Sequence, residues 1–584
     1  MTERVNGGSD AERDLLSDVS VDVGWRLIER FSSLVRESGM PDEHTAADYI
    51  VSELDRLGIG HAVYEPELYL SLPRSGSVAV EGNEYRAKPP AFSVSTTAAG
   101  EVTARGVYLE APPMRDLGEI FDDRHQGSDE VVRGKVVVTN GYAMPSTVGR
   151  FEEAGAVAQV YINPGSNIHW GICTPIWGTP TGDNLRFKPR TPVVAVNRPD
   201  GEALVLTLAR GSVAITVRTA LDEGWYRCKL PVVTIPGETD EFLLVHGHYD
   251  SWDVGIGDNA VGDATLLELA RIFHAHRGRL RRSLKIAWWP GHSTGRYAGS
   301  TWFADRFALD LRKYCVAAVN IDSPGCWQAS AFEDVMWMAE ADRLCRDSIA
   351  DATGEEASRR RPIRAGDYSF NQIGLTSFFM LLSGIPDEQR KDLGFYPVGG
   401  CGGNIAWHTE DDLPDVANRQ YLEQDLRVYV TAIARVLNSE ILPFDHRGAV
   451  DEMLDAVAEY EVAGRGMVDL SVLQDELASL RKQLDRFYAA LAEPGAIDTA
   501  VGNRTITELS RILVPLNYAR GARFEHDPAL PLGTIPMLND IGELGPCADS
   551  RSDRLPFLKA GIVRAVNRAA NSAYEAATLI RRLM

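Results

Sequence analysis

Residues 242–264 read FLLVHGHYDSWDVGIGDNAVGDA, and the fold is decided here. The run is apolar as far as His246, the composition of a strand covered on both faces. It then ends on the polar group His248, Tyr249 and Asp250. Eight residues past Asp250 comes DNAVGDAT, which sets Asp258 at the mouth of a helix carried by ATLLELARIFHAH. Strand, polar end and amphipathic helix make the first unit of a β–α alternation.

The alternation continues on the carboxyl side through SLKIAWWP, a helix from about Tyr297, CVAAVNID and later TSFFMLL. It predicts a largely parallel sheet with helices on both faces, whose chemistry gathers at the strand carboxyl ends. On the amino side, EHTAADYIVSELDRL places Ala46, Tyr49, Ile50, Leu54 and Leu57 at helical spacing, and Gly58 follows as a stop. Between about 100 and 220 the texture changes to short β-rich runs, VVRGKVVVTNG and TPVVAVN, with one helical stretch, TVGRFEEAGAVA. After Pro443 strand signals stop and long helical patterns take over: DEMLDAVAEYEVA, LQDELASLRKQLDRFYAALA and the final KAGIVRAVNRAANSAYEAATLIRRLM. At 584 residues the chain exceeds what a single hydrophobic core supports. The expected architecture is α/β, with residues 1–99 and 225–440 forming the sheet domain, 100–224 an inserted β-rich module and 441–584 a helical domain.

A formal charge of −22 excludes nucleic acid and anionic membranes as main partners, since phosphate binding needs clustered Lys and Arg. The basic run Arg359–Arg364, RRRPIR, is too short to reverse this. Seven scattered cysteines form no close pair with disulfide or metal spacing. The opening MTERVNGGSDAERDLLSDVSVDVG shows no apolar signal segment, and no run of 18 uncharged apolar residues occurs elsewhere. A cytoplasmic protein without a membrane span is expected.

Four further positions carry chemistry. A His at a strand end with Asp250 two residues on is how a metal-binding imidazole is often held. CVAAVNID delivers Asp322 at its own carboxyl end, and IAWHTEDD offers His408. Singly, each such residue is more often a hydrogen-bonded structural group. Together, His248, Asp258, Asp322 and His408 at the ends of converging elements suit a two-metal hydrolytic site.

HGHYDSWDVGIGDNAVGDA, WWPGHSTGRYAGS, VNIDS and AWHTEDD, in this order, resemble the signature of the co-catalytic zinc peptidases that include bacterial aminopeptidases and glutamate carboxypeptidase II. VVRGKVVVTNGYAMPSTVGRFEEAGAVAQVYIN with TPVVAVNRPDGEALVLTL resembles the protease-associated domain inserted in many of them. GNRTITELSRILVPLNYARGARFEHDPALPLGTIPMLNDI resembles the helical dimerisation domain of the transferrin receptor branch, so a homodimer is expected. The resemblance implies that His248 and Asp322 hold one metal, that Asp258 bridges, that His408 holds the second, and that Asp250 orients His248. It further implies that Asn259 and Gly262 shape the turn, and that Asp367 and Ser369 pack behind the site.

In that family the segment after LKIAWW carries two adjacent acids, one the general base and the next a metal ligand. This chain has His292 and Ser293 there, with one extra residue before Gly299-Ser300. Three readings stay open: His292 is a replacement ligand, His292 is the base, or the site is dead and the protein is a scaffold. Arg296 could clamp a substrate carboxylate. PALPLGTIPM lacks the Lys-Tyr pair that implies selectivity for a terminal glutamate. Trp170, Trp177, Trp252, Trp288, Trp289 and Trp407 suggest an aromatic-lined pocket. The expectation is therefore a metal-dependent hydrolase of an amide or small-peptide C–N bond, aminopeptidase- or carboxypeptidase-like. His248, Asp258, Asp322, His408 and His292 would be ligands, and His292, Asp250 and Arg296 catalytic groups. One or two divalent ions are expected, zinc by resemblance, with manganese, iron, nickel or cobalt as alternatives. A C–N lyase acting on a small carboxylate and a non-catalytic dimer are the competing outcomes.

Overall fold

The computed structural model describes residues 10–121 and 129–584. Residues 1–9, the start of the segment read above as lacking a signal, lie outside the described residues. Fifteen strands run along the described chain: β1 His61–Tyr64, β2 Glu67–Val80, β3 Asn83–Ala87, β4 Val102–Leu109, β5 Val136–Asn140, β6 Ala158–Ile162, β7 Val193–Val196, β8 Ala214–Arg227, β9 Leu230–Ile235, β10 Thr239–His248, β11 Arg282–Trp289, β12 Cys315–Asn320, β13 Val335–Trp337, β14 Arg359–Arg360 and β15 Thr376–Met380.

Eight of them form one sheet in the order β1-β9-β11-β10-β12-β15-β13-β14. Its centre is parallel: β10 pairs with β11 and β12, and β12 with β15. Alternate side chains of β10 enter opposite cores. Leu243 and Val245 pack with Leu266, Leu269 and Val430 of the helices Val261–Ala275 and Arg419–Asn438. Phe242 and Leu244 pack with Phe303 and Leu311 on the other side. Both faces are therefore covered, which is why β10 reads as one apolar run. The register pairs His248 with Trp289 and His246 with Asn320, so β10, β11 and β12 finish at the same edge. His248, the turn after Trp289 and Asp322 are delivered together.

The second sheet has seven strands in the order β3-β2-β8-β4-β5-β6-β7, parallel from β4 to β7 and antiparallel among β2, β3 and β8. It draws in residues 67–87, upstream of the position-100 boundary read from the sequence. The reason is pairing: β2 runs beside β8 from Glu67↔Arg227 to Val80↔Ile215, so entry and exit strands of the module close its sheet together.

Four long helices follow residue 441: Arg447–Ala463, Ser471–Ala492, Thr499–Tyr518 and Leu555–Leu583. Leu473, Leu477, Leu480 and Leu484 lie one turn apart and share a core with Ile562, Val566, Ala569 and Ala573. The helix Thr499–Tyr518 contains Pro515, which masks it in the sequence pattern. It is held to the sheet domain by Arg511, which donates to the carbonyls of Gly374 and Arg312 at 2.7 and 2.9 Å. Among the described residues, no helix is long and apolar enough to cross a membrane.

Candidate functional site

At the shared edge of β10 and β12, Asn259 ties the two strand ends together. Its amide donates to the carbonyls of His248 and Ile321 at 3.2 and 3.0 Å and accepts from the Ser323 N–H at 2.9 Å. Gly262 is required below it, because a Cβ there would meet Asn259 Oδ1 at 2.2 Å. Asp412 accepts the N–H groups of Gly257 and Asp258 at 2.6 and 3.0 Å and so fixes the loop that presents Asp258.

The imidazoles of this site follow one rule. His248 Nδ1 lies 3.0 Å from the Asp250 carbonyl, His408 Nδ1 3.0 Å from the Trp170 carbonyl, and His292 Nδ1 2.9 Å from Asp367 Oδ2. Each of these partners accepts, so Nδ1 carries a proton and Nε2 is the ring atom left to face the site. The Nε2 atoms converge on carboxylates. Asp258 stands between two of them, with Oδ1 3.0 Å from His248 and Oδ2 3.1 Å from His408, while Asp322 Oδ2 is 3.8 Å from His248 Nε2. One ligand atom each from His248, His292 and Asp322 lies within 4.8 Å of the others. The His292 ring stacks on His248 at 3.7 Å and 15°.

His248 Nε2 is buried, and its polar neighbours are two carboxylates, Asp258 at 3.0 Å and Asp322 at 3.8 Å. Imidazole nitrogens and carboxylate oxygens crowded together in a buried site call for a cation, and the donor set of imidazole and carboxylate suits a divalent transition metal. The electrostatics agree. Burial disfavours a charge on His248, but Asp250 and Asp258 outweigh it and raise its pKa well above the usual value. Burial acts to raise Asp258, and the imidazoles of His248 and His408 overcome it and hold the carboxyl well below its usual range. For Asp322, burial and the neighbouring Asp258 push the carboxyl up. The cage lacks positive charge.

Behind His292, Asp367 is fully buried and also accepts from the Ser300 hydroxyl at 2.6 Å; Ser300 meets Ser369, which accepts from the Trp177 indole at 2.9 Å. The stretch around Asp367 thus sits behind the site and supports His292.

Not every expected residue reaches the cavity. The Asp250 carboxylate is 3.7 Å from His248 Nδ1, and it is the Asp250 carbonyl that holds the ring. The carboxylate instead accepts the N–H groups of His292 and Ser293 at 3.1 and 2.9 Å, shaping the turn from below. Ser293 likewise is buried outside the lining. Arg296 does line the cavity, with Asp258, His292, Tyr297, Asp322 and His408. Of the tryptophans, Trp170 and Trp407 line it, Trp252 stacks on Trp170, and Trp288 and Trp289 are core residues.

The roof comes from the second sheet and its loops, and supplies two residues that sequence reading missed. Lys88 is buried with its ammonium 2.6 Å from Glu410 and 4.6 Å over the Trp170 ring. His169 has Nδ1 2.6 Å from the Trp407 carbonyl and Nε2 2.9 Å from the Tyr396 hydroxyl. Neither lies in a recognisable motif; only proximity in space reveals them. The cavity measures about 80 Å³.

A mostly parallel sheet flanked by helices, with acids and imidazoles at its carboxyl edge, defines an α/β metallopeptidase-like protein. Residues 232–424 match the family model of peptidase family M28, a third of the chain. A curated relative in Schizosaccharomyces pombe, an inactive zinc metalloprotease, is 24% identical over 275 residues, 44% of this chain and 33% of its own length. A probable glutamate carboxypeptidase of Zea mays is 22% identical over 491 residues, 72% of this chain and 67% of its own. The chain therefore spans only part of each. Among solved structures, a zinc aminopeptidase from Bacillus subtilis superposes with a TM-score of 0.54 at 18% identity, covering 72% of this chain and 96% of that one.

Proposed function

We propose that the protein is a metal-dependent hydrolase that cleaves an amide or small-peptide C–N bond. His248, Asp258, Asp322 and His408 would hold one or two divalent ions, zinc by family resemblance, and His292 would be an additional ligand. The observation that carries this reading is the setting of His292: Nδ1 is tied to Asp367, which leaves Nε2 available as a ligand atom, and a ring nitrogen of His292 lies within 4.8 Å of ligand atoms of His248 and Asp322. That is the carboxylate–imidazole arrangement by which metal-binding histidines are aligned. A divalent cation there supplies Lewis acidity, polarising a carbonyl and acidifying water.

The chain's own residues do the rest. Asp258 faces two imidazoles and so spans the pair of positions that the ions would occupy. Asp250 holds the backbone of His292 and Ser293, and the Asp367 carboxylate fixes the His292 tautomer. Trp170 clamps His408 twice, donating its N–H to the His408 carbonyl at 2.8 Å and accepting the ring N–H. The roof restricts entry. At about 80 Å³, and with roughly 10–15 Å³ needed per water-sized group, the cavity suits a small substrate.

Among the described residues the lining contains no glutamate, which favours as second reading a C–N lyase that needs no activated water. Product formed without oxygen from labelled water would select it. The hydrolase is tested by elemental analysis and anomalous scattering on gently purified protein. About one or two ions per chain touching His292 Nε2 are expected; a metal-free protein, inert to added zinc, manganese and nickel, would return it to the scaffold class.

The exposed Phe557, Val563 and Tyr574 on the last helix support a homodimer formed through residues 441–584. Seven buried, unpaired cysteines support a cytoplasmic setting.

A further inference from the structure

We infer that Arg296 is an anion-recognition group, and that the substrates of this cavity carry a carboxylate; the inference rests on the hydrolase reading for the position of the chemistry. Arg296 is 4% exposed, and its Nε is buried without a partner. Among the described residues its guanidinium makes no hydrogen bond or ion pair, and its recorded neighbour is the Tyr297 ring at 5.2 Å.

The other deeply buried arginines differ. Arg36 donates to the carbonyls of Tyr249, Val254 and Gly255, Arg282 to Glu241 and the Val436 carbonyl, and Arg364 to the carbonyls of Tyr368 and Asp527. Burying a guanidinium without such partners is costly, so a site that keeps one does so for a ligand. Arg296 meets that description.

The surroundings specify the ligand's charge and size. The protein's cavity acids are committed elsewhere, since Asp258 faces His248 and His408 while Asp322 sits by His248. The second cation of the lining, Lys88, is already held by Glu410 at 2.6 Å and Asp253 at 3.7 Å. Arg296 alone lacks an anion. Its flat fork of N–H donors matches a carboxylate in two-point fashion, and one guanidinium in a small cavity suits one carboxylate better than a phosphate, which calls for more donors. Local geometry keeps the residue in place. Arg296 and Tyr297 are consecutive left-handed residues, φ 48° and 69°, with the Arg296 carbonyl accepting the Gly178 N–H at 2.6 Å and the Tyr297 N–H bonded to the His292 carbonyl at 3.1 Å.

The test is calorimetric titration of the full-length, metal-replete protein with N-acetylglycine and with its neutral counterpart N-acetylglycinamide, repeated after metal removal. The wild type is expected to bind the carboxylate at least tenfold more tightly, and Arg296→Gln to lose roughly 10- to 100-fold for the carboxylate alone, with metal content unchanged. A preference that survives Arg296→Gln, or a wild type that binds neither probe up to ~10 mM, overturns the proposal. If Arg296→Gln does not fold, Arg296→Lys decides, with an unchanged preference overturning it and a several-fold loss upholding it. A preference that depends on Arg296 in a protein found to bind no metal would keep this assignment and discard the hydrolase.

Discussion

At the roof of the cavity, the Lys88 ammonium rests 2.6 Å from Glu410, and both nitrogens of His169 have partners. At the floor, the Arg296 Nε is buried with none, and the carboxyls of Asp258 and Asp322 crowd the His248 Nε2 at 3.0 and 3.8 Å. Lys88 and His169 are as deeply buried as His248 and Arg296. The roof is finished by the protein itself, whereas the floor is complete only with ions and a substrate. Buried polar groups are normally satisfied, so the contrast separates structure from function without reference to any relative.

Stripping metal should break this contrast most strongly. Chelation is expected to abolish turnover and lower the melting temperature, because a cation at a thousandfold its Kd contributes about 4 kcal/mol; scanning calorimetry before and after readdition measures it. Next comes His292→Ala, for which turnover should fall by at least ~10²-fold and metal occupancy drop with the oligomeric state unchanged, read by kinetics, elemental analysis and sedimentation. Asp367→Asn touches neither cavity nor ion and should weaken metal affinity roughly 10- to 100-fold, measured by competitive titration.

The roof responds to acid instead. His169 is buried, and that burial, with smaller contributions from His408 and Lys88 against the Trp407 carbonyl and Glu410, brings its pKa down to about 3. A His depressed in the folded state contributes stability that is present above its unfolded pKa near 6.5 and lost as pH falls toward 3. His169→Gln should therefore flatten the pH dependence of unfolding in that window, by a few kcal/mol at most, in denaturant titrations at several pH values. Lys88→Met should have the smallest effect, about 1 kcal/mol in urea unfolding, because the Glu410 side chain is 43% exposed and water can replace its partner.

Much of the floor was legible. His248, Asp258, Asp322 and His408 sit at the ends of elements whose periodicity is plain, and their convergence follows from a parallel sheet. His292 was visible as an anomaly, and its role depended on Asp367, 75 residues away, which no spacing rule connects to it. Asp250 was expected to act through its carboxylate, but a backbone carbonyl does that work, and carbonyls leave no trace in a sequence. The roof was nearly unreadable. Lys88 and His169 belong to loops whose partners, Glu410 and Trp407, are more than 200 residues away. Pro515 hid a helix because its missing N–H falls in the last turn, where tertiary contacts outweigh the loss.

The line of contacts from Trp177 through Ser369, Ser300 and Asp367 to His292 ties a loop of the inserted module to an imidazole on the cavity floor of the sheet domain. Transplanting a module from a related protein would therefore change more than the entrance. Unless the donor brings an indole to the same hydroxyl, the graft would slacken the imidazole at the far end, and substrate scope and catalytic competence would have to be re-engineered together.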